Sequence, residues 1–144
     1  MTSEQIVAKA NRIQRKYETR NPFTIARQRG IIVAYEPLGT IHGYYNTLYR
    51  QHFIHINRDL RTHQQKYVCA HELGHAILHP DMNTHYLRER TLFSVGKYER
   101  EAKLFAAHLL ISDDELKEYR DFTYEQLSKL FCVDEDIIRV RCEA

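Results

Sequence analysis

The sequence contains few of the residues that mark disulfide-rich, low-complexity or disordered proteins. Its 144 residues include three cysteines, three prolines, five glycines and no tryptophan, while 43% are hydrophobic and 28% are charged. An odd number of widely spaced cysteines without a CxxC pair disfavours both a disulfide framework and a cysteine-based zinc ribbon. A balanced composition of this kind is typical of a folded domain. We therefore expect an ordered protein in a reducing compartment, the cytoplasm.

Long hydrophobic runs and a strong net charge are also missing. No stretch approaches the roughly 20 apolar residues of a membrane-spanning helix, and the N-terminal segment has no apolar core like that of a signal peptide. The formal net charge is only +2, so charge indicates neither a nucleic acid nor a membrane surface as partner. A chain of 144 residues is long enough for one domain and too short for two comfortable ones. We expect a single domain over residues 1–144 with no membrane association.

The first sixty residues predict two helices followed by a small sheet. Ser3 is expected to cap a helix that runs to about Tyr17. The Asn21-Pro22 pair predicts the start of a short helix and Gly30 its end. Three β-branched and aromatic segments separated by short turns predict a three-stranded antiparallel sheet. These segments are residues 31–36, 40–45 and 52–57.

From residue 60 onward the hydrophobic spacing is helical, and the fold class is therefore α+β with the sheet packed on helices. Helices are predicted at 63–79, 97–111, 123–131 and 134–141. Pro80 ends the first of these, and residues 81–96 show no clear period. No internal repeat or linker divides the chain. The expected parts of the domain are helices and sheet, two central helices and a C-terminal helical pair, at residues 1–60, 61–112 and 113–144.

The histidines are distributed unevenly along the chain. Four of the nine lie between residues 71 and 85, three of them in the segment VCAHELGHAILHP at 68–80. In a helix, His71 and His75 lie on one face, so two imidazole nitrogens can bind one ion at about 2.0–2.1 Å. Glu72, turned by about 100° around the helix, would contact a water on that ion and act as general base. The HExxH spacing thus indicates a Zn²⁺ site.

The alternative is a buried helix whose histidines are hydrogen-bonded and inert. Gly74 bears on this choice, because a glycine in the middle of a helix costs roughly 1 kcal/mol relative to alanine. A glycine at this position suggests that another part of the molecule passes close to the helix backbone.

A zinc site also needs a third protein ligand, and three candidates lie near the end of the helix. His79 is about 12 Å along the helix axis from His71, too far to share one ion easily, and is better interpreted as a supporting residue. Asp81 lies six residues after His75, where one class of zinc proteases places its third ligand, but the glycine that turns the chain in those enzymes is absent here. His85 lies in the irregular segment and remains a candidate for the third ligand.

Two further candidates belong to the next helix, KYEREAKLFAAHLL. Taking Ala102 as the centre of its apolar face, Glu99 lies about 60° to one side and Glu101 about 100° to the other. A carboxylate that flanks small alanines can approach the first helix closely, so Glu99 is the better placed of the two. Alternatively, both glutamates form a solvated edge paired with Arg100 or Lys103.

At this point the sequence resembles the ImmA/IrrE-type zinc metallopeptidases over roughly residues 20 to 112. The shared segments, in the family order, are NPFTIARQRGIIVAYE, GYY, HIN, AHELGHAILH and EREAKLFAAHLL. The resemblance implies a zincin-like helical bundle with a small sheet. By position, His71, His75 and Glu99 match the family's zinc ligands, and Glu72 matches the catalytic base. It also implies a protein substrate, which in members from phages and mobile elements is a helix-turn-helix repressor.

The sequence departs from the family at two places. Lys103 stands where an Asn or another small polar residue is usual, and Ile111-Ser112 replaces the usual Met-Pro. The first departure could loosen the support of Glu99, and support of this kind can change metal affinity or activity by about 10–100-fold. We expect no additional C-terminal sensor domain, and this expectation favours the short form that acts directly on a repressor.

The implied reaction is metal-assisted amide hydrolysis, in which Glu72 moves a proton from water to the leaving amine. The developing oxyanion needs a donor, and spacing leaves four candidates. They are His79, His85, Tyr44 and Tyr45. The predicted strand TIHGYY is the candidate edge for holding an extended peptide.

The C-terminal segment offers a competing interpretation as a non-catalytic repressor- or DNA-binding module. FTYEQLSKLFCVDEDIIRVRCEA resembles a bacterial helix-turn-helix unit, which would bring Arg139 or Arg141 near phosphates or bases. Cys132 stands where glycine normally makes the turn, and the acidic residues 134–136 repel a polyanion. DNA binding is therefore disfavoured. A further alternative is a chain that binds zinc or a repressor without cleaving it.

Overall fold

The computed structural model of the chain describes residues 1–81 and 92–143, with their side chains except those of 92–95. The described residues form seven helices and three strands, which confirms the α+β class. The helices are α1 (Ser3–Tyr17), α2 (Pro22–Gln28), α3 (Thr62–Leu78), α4 (Leu92–Leu110), α5 (Asp113–Glu118), α6 (Tyr124–Phe131) and α7 (Glu135–Glu143). The strands are β1 (Ile32–Glu36), β2 (Gly43–Leu48) and β3 (Gln51–Asn57). None of these helices is both long and apolar enough to cross a membrane.

The sheet is mixed, so the expectation of a purely antiparallel sheet was wrong. The strand order is β1-β3-β2, with β2 and β3 antiparallel and β1 parallel to β3. The segment between β1 and β2 must therefore cross two strand spacings, about 10 Å in all. Asn57 holds this crossing, because its buried amide donates to the carbonyl oxygens of Gly39 and Ile41, both at 3.0 Å. A polar side chain at the end of β3 thus contributes two hydrogen bonds to the crossing segment.

Strand β2 begins three residues later than predicted, at Gly43 instead of residue 40. It continues to Leu48, and a two-residue turn of Tyr49 and Arg50 leads into β3. Both turn residues have positive φ, 51° and 67°. Hairpin turns of this geometry favour Asn-Gly, so a Tyr-Arg pair gives no recognisable turn signal.

Helix starts follow local capping. Thr2, and not the predicted Ser3, caps α1, because its hydroxyl accepts from the Gln5 amide at 3.1 Å while the Gln5 side chain accepts from the Thr2 amide at 2.9 Å. The predicted start of α2 is confirmed, since the Asn21 side chain accepts from the amide of Phe23 at 2.9 Å. Reciprocal capping bonds outweigh the position of a single serine.

The central helices differ in part from the prediction. Helix α3 lies within one residue of the predicted bounds, but α4 begins at Leu92, within the segment 81–96 that was predicted to be irregular. Helix α5 was missed, although Ser112 and Glu115 form the reciprocal cap that signals a helix start. The predicted helices near 123–131 and 134–141 are confirmed as α6 and α7.

The main core lies between the inner face of the sheet and α1 to α4. Its largest residues are at most 2% exposed, and include Ile6, Ile25, Ile54, Ile56, Leu73, Phe105 and Leu109. A second, smaller cluster of Ile111, Leu127 and Ile138 packs the C-terminal pair against the end of α4. Helix α3 is therefore enclosed by the sheet on one side and α4 on another.

Candidate metal centre

The HExxH segment lies in the most buried part of α3, where every residue from Val68 to Ile77 is buried. His71 and His75 are one turn apart, and their ring centroids are separated by 5.0 Å. Ligand atoms of His71, Glu72 and His75 lie within 4.8 Å of one another. Among residues 1–81 and 92–143, no other three histidine, cysteine or acidic side chains bring ligand atoms this close together. Burying three polar side chains together is costly unless they share partners.

Glu99 of α4 supplies a partner for both histidines. Its Oε2 lies 2.8 Å from Nε2 of His71, and its Oε1 lies 3.0 Å from Nε2 of His75. Burial alone would raise the pKa of Glu99, but hydrogen bonds from the two histidines and electrostatic attraction to them lower it well below its usual value. The structure thus brings two imidazoles and one ionised carboxylate together, with one carboxylate oxygen facing each ring.

This donor set fits a zinc ion. Two Nε2 atoms and a carboxylate are the ligands of many catalytic zinc sites, which keep one position open. The carboxylate could be Glu72, which is grouped with the two histidines, or Glu99, which contacts both of them. Glu99 is the better placed of the two, because its two oxygens face the Nε2 atoms of both histidines. Glu72 then remains beside the site as a carboxylate that is only 1% exposed.

Gly74 sets the distance between α3 and α4. A Cβ atom at this position would lie 3.1 Å from Cδ1 of Phe105 and 3.2 Å from the backbone oxygen of Ala102. Both distances are tighter than ordinary carbon contacts. The expectation that another part of the molecule passes close to Gly74 is confirmed, and that part is the helix that carries Glu99.

The site opens into a cleft of about 240 Å³. Three of the residues that line the cleft are His71, Glu72 and Glu99. The other lining residues are His42, Gly43, Tyr67, Val68, Lys103, Asp134, Asp136 and Ile137. Helix α7 and Asp134 before it therefore border the candidate metal centre, which the sequence did not predict.

Tyr67 lines the same cleft one turn before His71. Its hydroxyl lies 3.4 Å from Nδ1 of His71, and the two ring centroids are 5.8 Å apart. Burial, followed by the charges of nearby carboxylates including Asp136 and Glu99, raises the pKa of Tyr67 above its usual value of 10. Its spacing from His71 is the one signal that could have marked it in the sequence.

Glu101 and His79 form a separate buried pair beside the site. Nε2 of His79 lies 3.5 Å from Oε1 of Glu101, and the His79 ring packs 5.7 Å from the His75 ring and 4.5 Å from the ring of Tyr98. Oε2 of Glu101 also lies 3.2 Å from the Met1 nitrogen. Burial and the neighbouring His75 lower the pKa of His79. Glu101 is thus engaged with His79, whereas Glu99 contacts His71 and His75.

The remaining candidate ligands and donors lie elsewhere. Asp81 is exposed at the end of α3, and His85 lies outside the described residues. Tyr45 is fully buried, and its hydroxyl contacts Nδ1 of His52 at 2.6 Å and donates to the Pro80 carbonyl at 3.0 Å. Tyr44, on the opposite face of the strand, stacks on the ring of His55, with the two ring centroids 4.2 Å apart. Neither Tyr44 nor Tyr45 lines the cleft.

Lys103 contacts the C-terminal pair. Its Nζ lies 3.0 Å from Oδ2 of Asp136, so this lysine links α4 to α7 across the edge of the cleft. Arg141 is buried and donates to the Ile111 carbonyl at 2.9 Å and to Asp113 at 2.5 Å. An arginine held in this way is an anchor between helices and is not available to a phosphate. Only Arg139 of the two proposed DNA contacts is exposed.

Comparisons with known proteins place the chain in a family. The sequence model of the Peptidase_M78 family, described as the IrrE N-terminal-like domain, matches residues 26–143. The chain is 37% identical over 139 residues to uncharacterized immunity region protein 2 of Bacillus phage phi105, covering 94% of this chain and 88% of that protein. It is 33% identical over 138 residues to metallopeptidase ImmA of Bacillus subtilis (strain 168), covering 92% of this chain and 80% of that protein.

The family match covers most of the chain, including α3, α4 and the C-terminal pair. Both relatives align over more than nine-tenths of the chain. The resemblance that the sequence motifs indicated is therefore confirmed: the chain belongs to the Peptidase_M78 family of metallopeptidases.

Proposed function

We propose that the chain is a zinc-dependent endopeptidase that cleaves a helix-turn-helix repressor of a phage or mobile element. The observation that carries the zinc assignment is the approach of both Nε2 atoms to the Glu99 carboxylate. The phage relative is named for an immunity region, and the bacterial relative is named a metallopeptidase. We further propose that residues 1–144 act as one domain, and that the protein works in the cytoplasm, where a repressor would be met.

In this proposal His71, His75 and Glu99 hold the metal and Glu72 handles the proton. When bound, zinc polarises the scissile carbonyl and makes a water molecule acidic enough to attack near neutral pH. Glu72 is almost fully buried next to His71. From there its carboxylate takes the proton of the attacking water and passes it to the departing amine.

Strand β2 provides the surface for the substrate chain. It is an edge strand of the described sheet, and its first residue, Gly43, borders the cleft. An extended peptide that pairs with this edge would enter the cleft beside His71. A side chain at position 43 would obstruct the fold, because a Cβ there would lie 2.5 Å from Val68 and 2.6 Å from the His55 carbonyl oxygen.

Cleavage of a purified repressor tests the proposal. The zinc-loaded chain is incubated with the helix-turn-helix repressor of the same element, and the products are identified by mass spectrometry. We expect one cleavage in the wild type and none in Glu72→Gln, which should keep its zinc and its thermal stability. A repressor that stays intact, or that Glu72→Gln cleaves equally well, would contradict the proposal. If the wild type and Glu72→Gln both bound the repressor without cleaving it, the non-catalytic alternative would be indicated.

A further inference from the structure

Four rings form a row along the face of α3 that carries the metal ligands. Tyr67, His71, His75 and His79 follow one another at intervals of four residues, and their successive ring centroids are 5.8, 5.0 and 5.7 Å apart. The two histidines in the middle contact Glu99 through Nε2. Tyr67 therefore lies against the first ligand, on the side away from the second.

The two ligand histidines differ in what their other ring nitrogen contacts. Nδ1 of His71 faces the Tyr67 hydroxyl at 3.4 Å. Nδ1 of His75 is buried without a hydrogen-bond partner among the described residues. A histidine that binds a metal usually donates the hydrogen on its other nitrogen to a neighbouring acceptor, which fixes the ring. For His71 the hydroxyl of Tyr67 is in the position of that acceptor.

A hydroxyl suits this position because the proton on His71 must change places when a metal binds. While Nε2 of neutral His71 donates to Glu99, its Nδ1 has no hydrogen and accepts from Tyr67. When Nε2 gives its lone pair to a metal, the hydrogen resides on Nδ1 and is donated to the Tyr67 oxygen. A hydroxyl can donate or accept by rotating, whereas an ionised carboxylate can only accept.

We propose that Tyr67 is a positioning residue, which fixes the ring and the tautomer of His71 so that Nε2 is presented to the metal. This role rests on the metal centre proposed above. It assigns to the cleft a residue outside HExxH that sets metal affinity. Because Tyr67 acts through His71, its effect should appear in metal binding itself, before any substrate is added.

Zinc affinity of two matched variants tests this role. Tyr67→Phe keeps the ring and removes the hydroxyl. Tyr17→Phe removes a hydroxyl that also takes part in a single 3.4 Å contact, with Arg29, and that does not line the cleft. Zinc dissociation constants are measured by competition with a chromophoric chelator, and circular dichroism checks that both variants fold. We expect Tyr67→Phe to bind zinc about tenfold or more weakly and Tyr17→Phe to match the wild type.

Nitrogen NMR of the histidine-labelled wild type gives a second, independent readout. With zinc bound, we expect His71 to coordinate through Nε2 and to carry its hydrogen on Nδ1. Equal zinc affinity in wild type and Tyr67→Phe, or coordination of His71 through Nδ1, would overturn the role of Tyr67 and leave the metal centre intact. A wild-type chain that binds no zinc would overturn the metal centre, and the role of Tyr67 with it.

Discussion

Replacing Gly74 by alanine tests the packing that brings Glu99 to the histidines. The added Cβ would meet Cδ1 of Phe105 at 3.1 Å, and the backbone oxygen and Cα of Ala102 at 3.2 and 3.3 Å. Two of these three atoms belong to the α4 backbone and cannot rotate away. Overpacking of this kind costs about 1–3 kcal/mol, while alanine in a helix gains back about 1 kcal/mol. We expect a net loss of stability of up to about 2 kcal/mol.

Gly96 provides the matched control, because it is also a helical glycine. Among the residues whose side chains the structure describes, a Cβ there would meet only the end of the flexible Arg100 side chain, at an ordinary 3.5 Å. Gly96→Ala should therefore gain about 0.5–1 kcal/mol from helix preference alone. The two substitutions are chemically identical, so the difference between them isolates the close approach of α4 to Gly74.

Thermal unfolding followed by circular dichroism measures both variants. For a chain of this size each kcal/mol corresponds to about 2–4 °C in Tm, so the opposite signs are easily resolved. Gly74→Ala should also bind zinc more weakly, because α4 must shift by a few tenths of an ångström and carries Glu99 with it. If Gly74→Ala stabilised the protein as much as Gly96→Ala, the account of helix packing at the metal centre would be refuted.

Two further predictions concern regions outside the centre. Burial, and then the Arg141 charge, lower the pKa of His108 from 6.5 to about 4, with Asp113 acting in the opposite direction. Between these two pH values the unfolded chain binds a proton on His108 that the folded chain does not, so the free energy of unfolding should fall as pH decreases from 6.5 to 4, by at most about 3 kcal/mol. In urea unfolding, His108→Gln should flatten this pH dependence. An unchanged slope in that variant would contradict the assignment to His108. In the β2–β3 turn, replacing Tyr49 and Arg50 by Asn and Gly should raise the free energy of unfolding by roughly 1–2 kcal/mol, because positive φ is unfavourable for both native residues. A lower Tm in that double variant would contradict this.

The sequence predicted the parts of the structure that depend on local spacing. Asn21 and Pro22 began a helix as expected, and the four-residue interval between His71 and His75 placed both rings on one face. Glu99 was preferred over Glu101 on the helical wheel, and the structure brings Glu99 to both histidines. Its role as a ligand stays a prediction, since a short contact does not establish metal binding.

The parts that could not be predicted depend on contacts between distant segments. The parallel pairing of β1 with β3 requires a crossing segment, whose carbonyl oxygens accept from Asn57, 16 or more residues later. The C-terminal pair borders the cleft because Arg141 anchors it to Ile111, 30 residues earlier. Neither contact leaves a periodic pattern in the sequence. Local patterns therefore predicted candidate residues that the structure brings together, but not the helix that borders their cleft.

Metal content of the purified chain tests the central claim most directly. Elemental mass spectrometry is applied to the wild type, His75→Ala, Glu99→Gln and Glu101→Gln, each supplied with zinc. The last two variants change neighbouring glutamates of α4 in the same way, but only Glu99 contacts His71 and His75. We predict about one zinc per chain in the wild type and in Glu101→Gln, and loss of zinc in the other two. Zinc retained in Glu99→Gln, or absent from the wild type, would contradict the proposed centre.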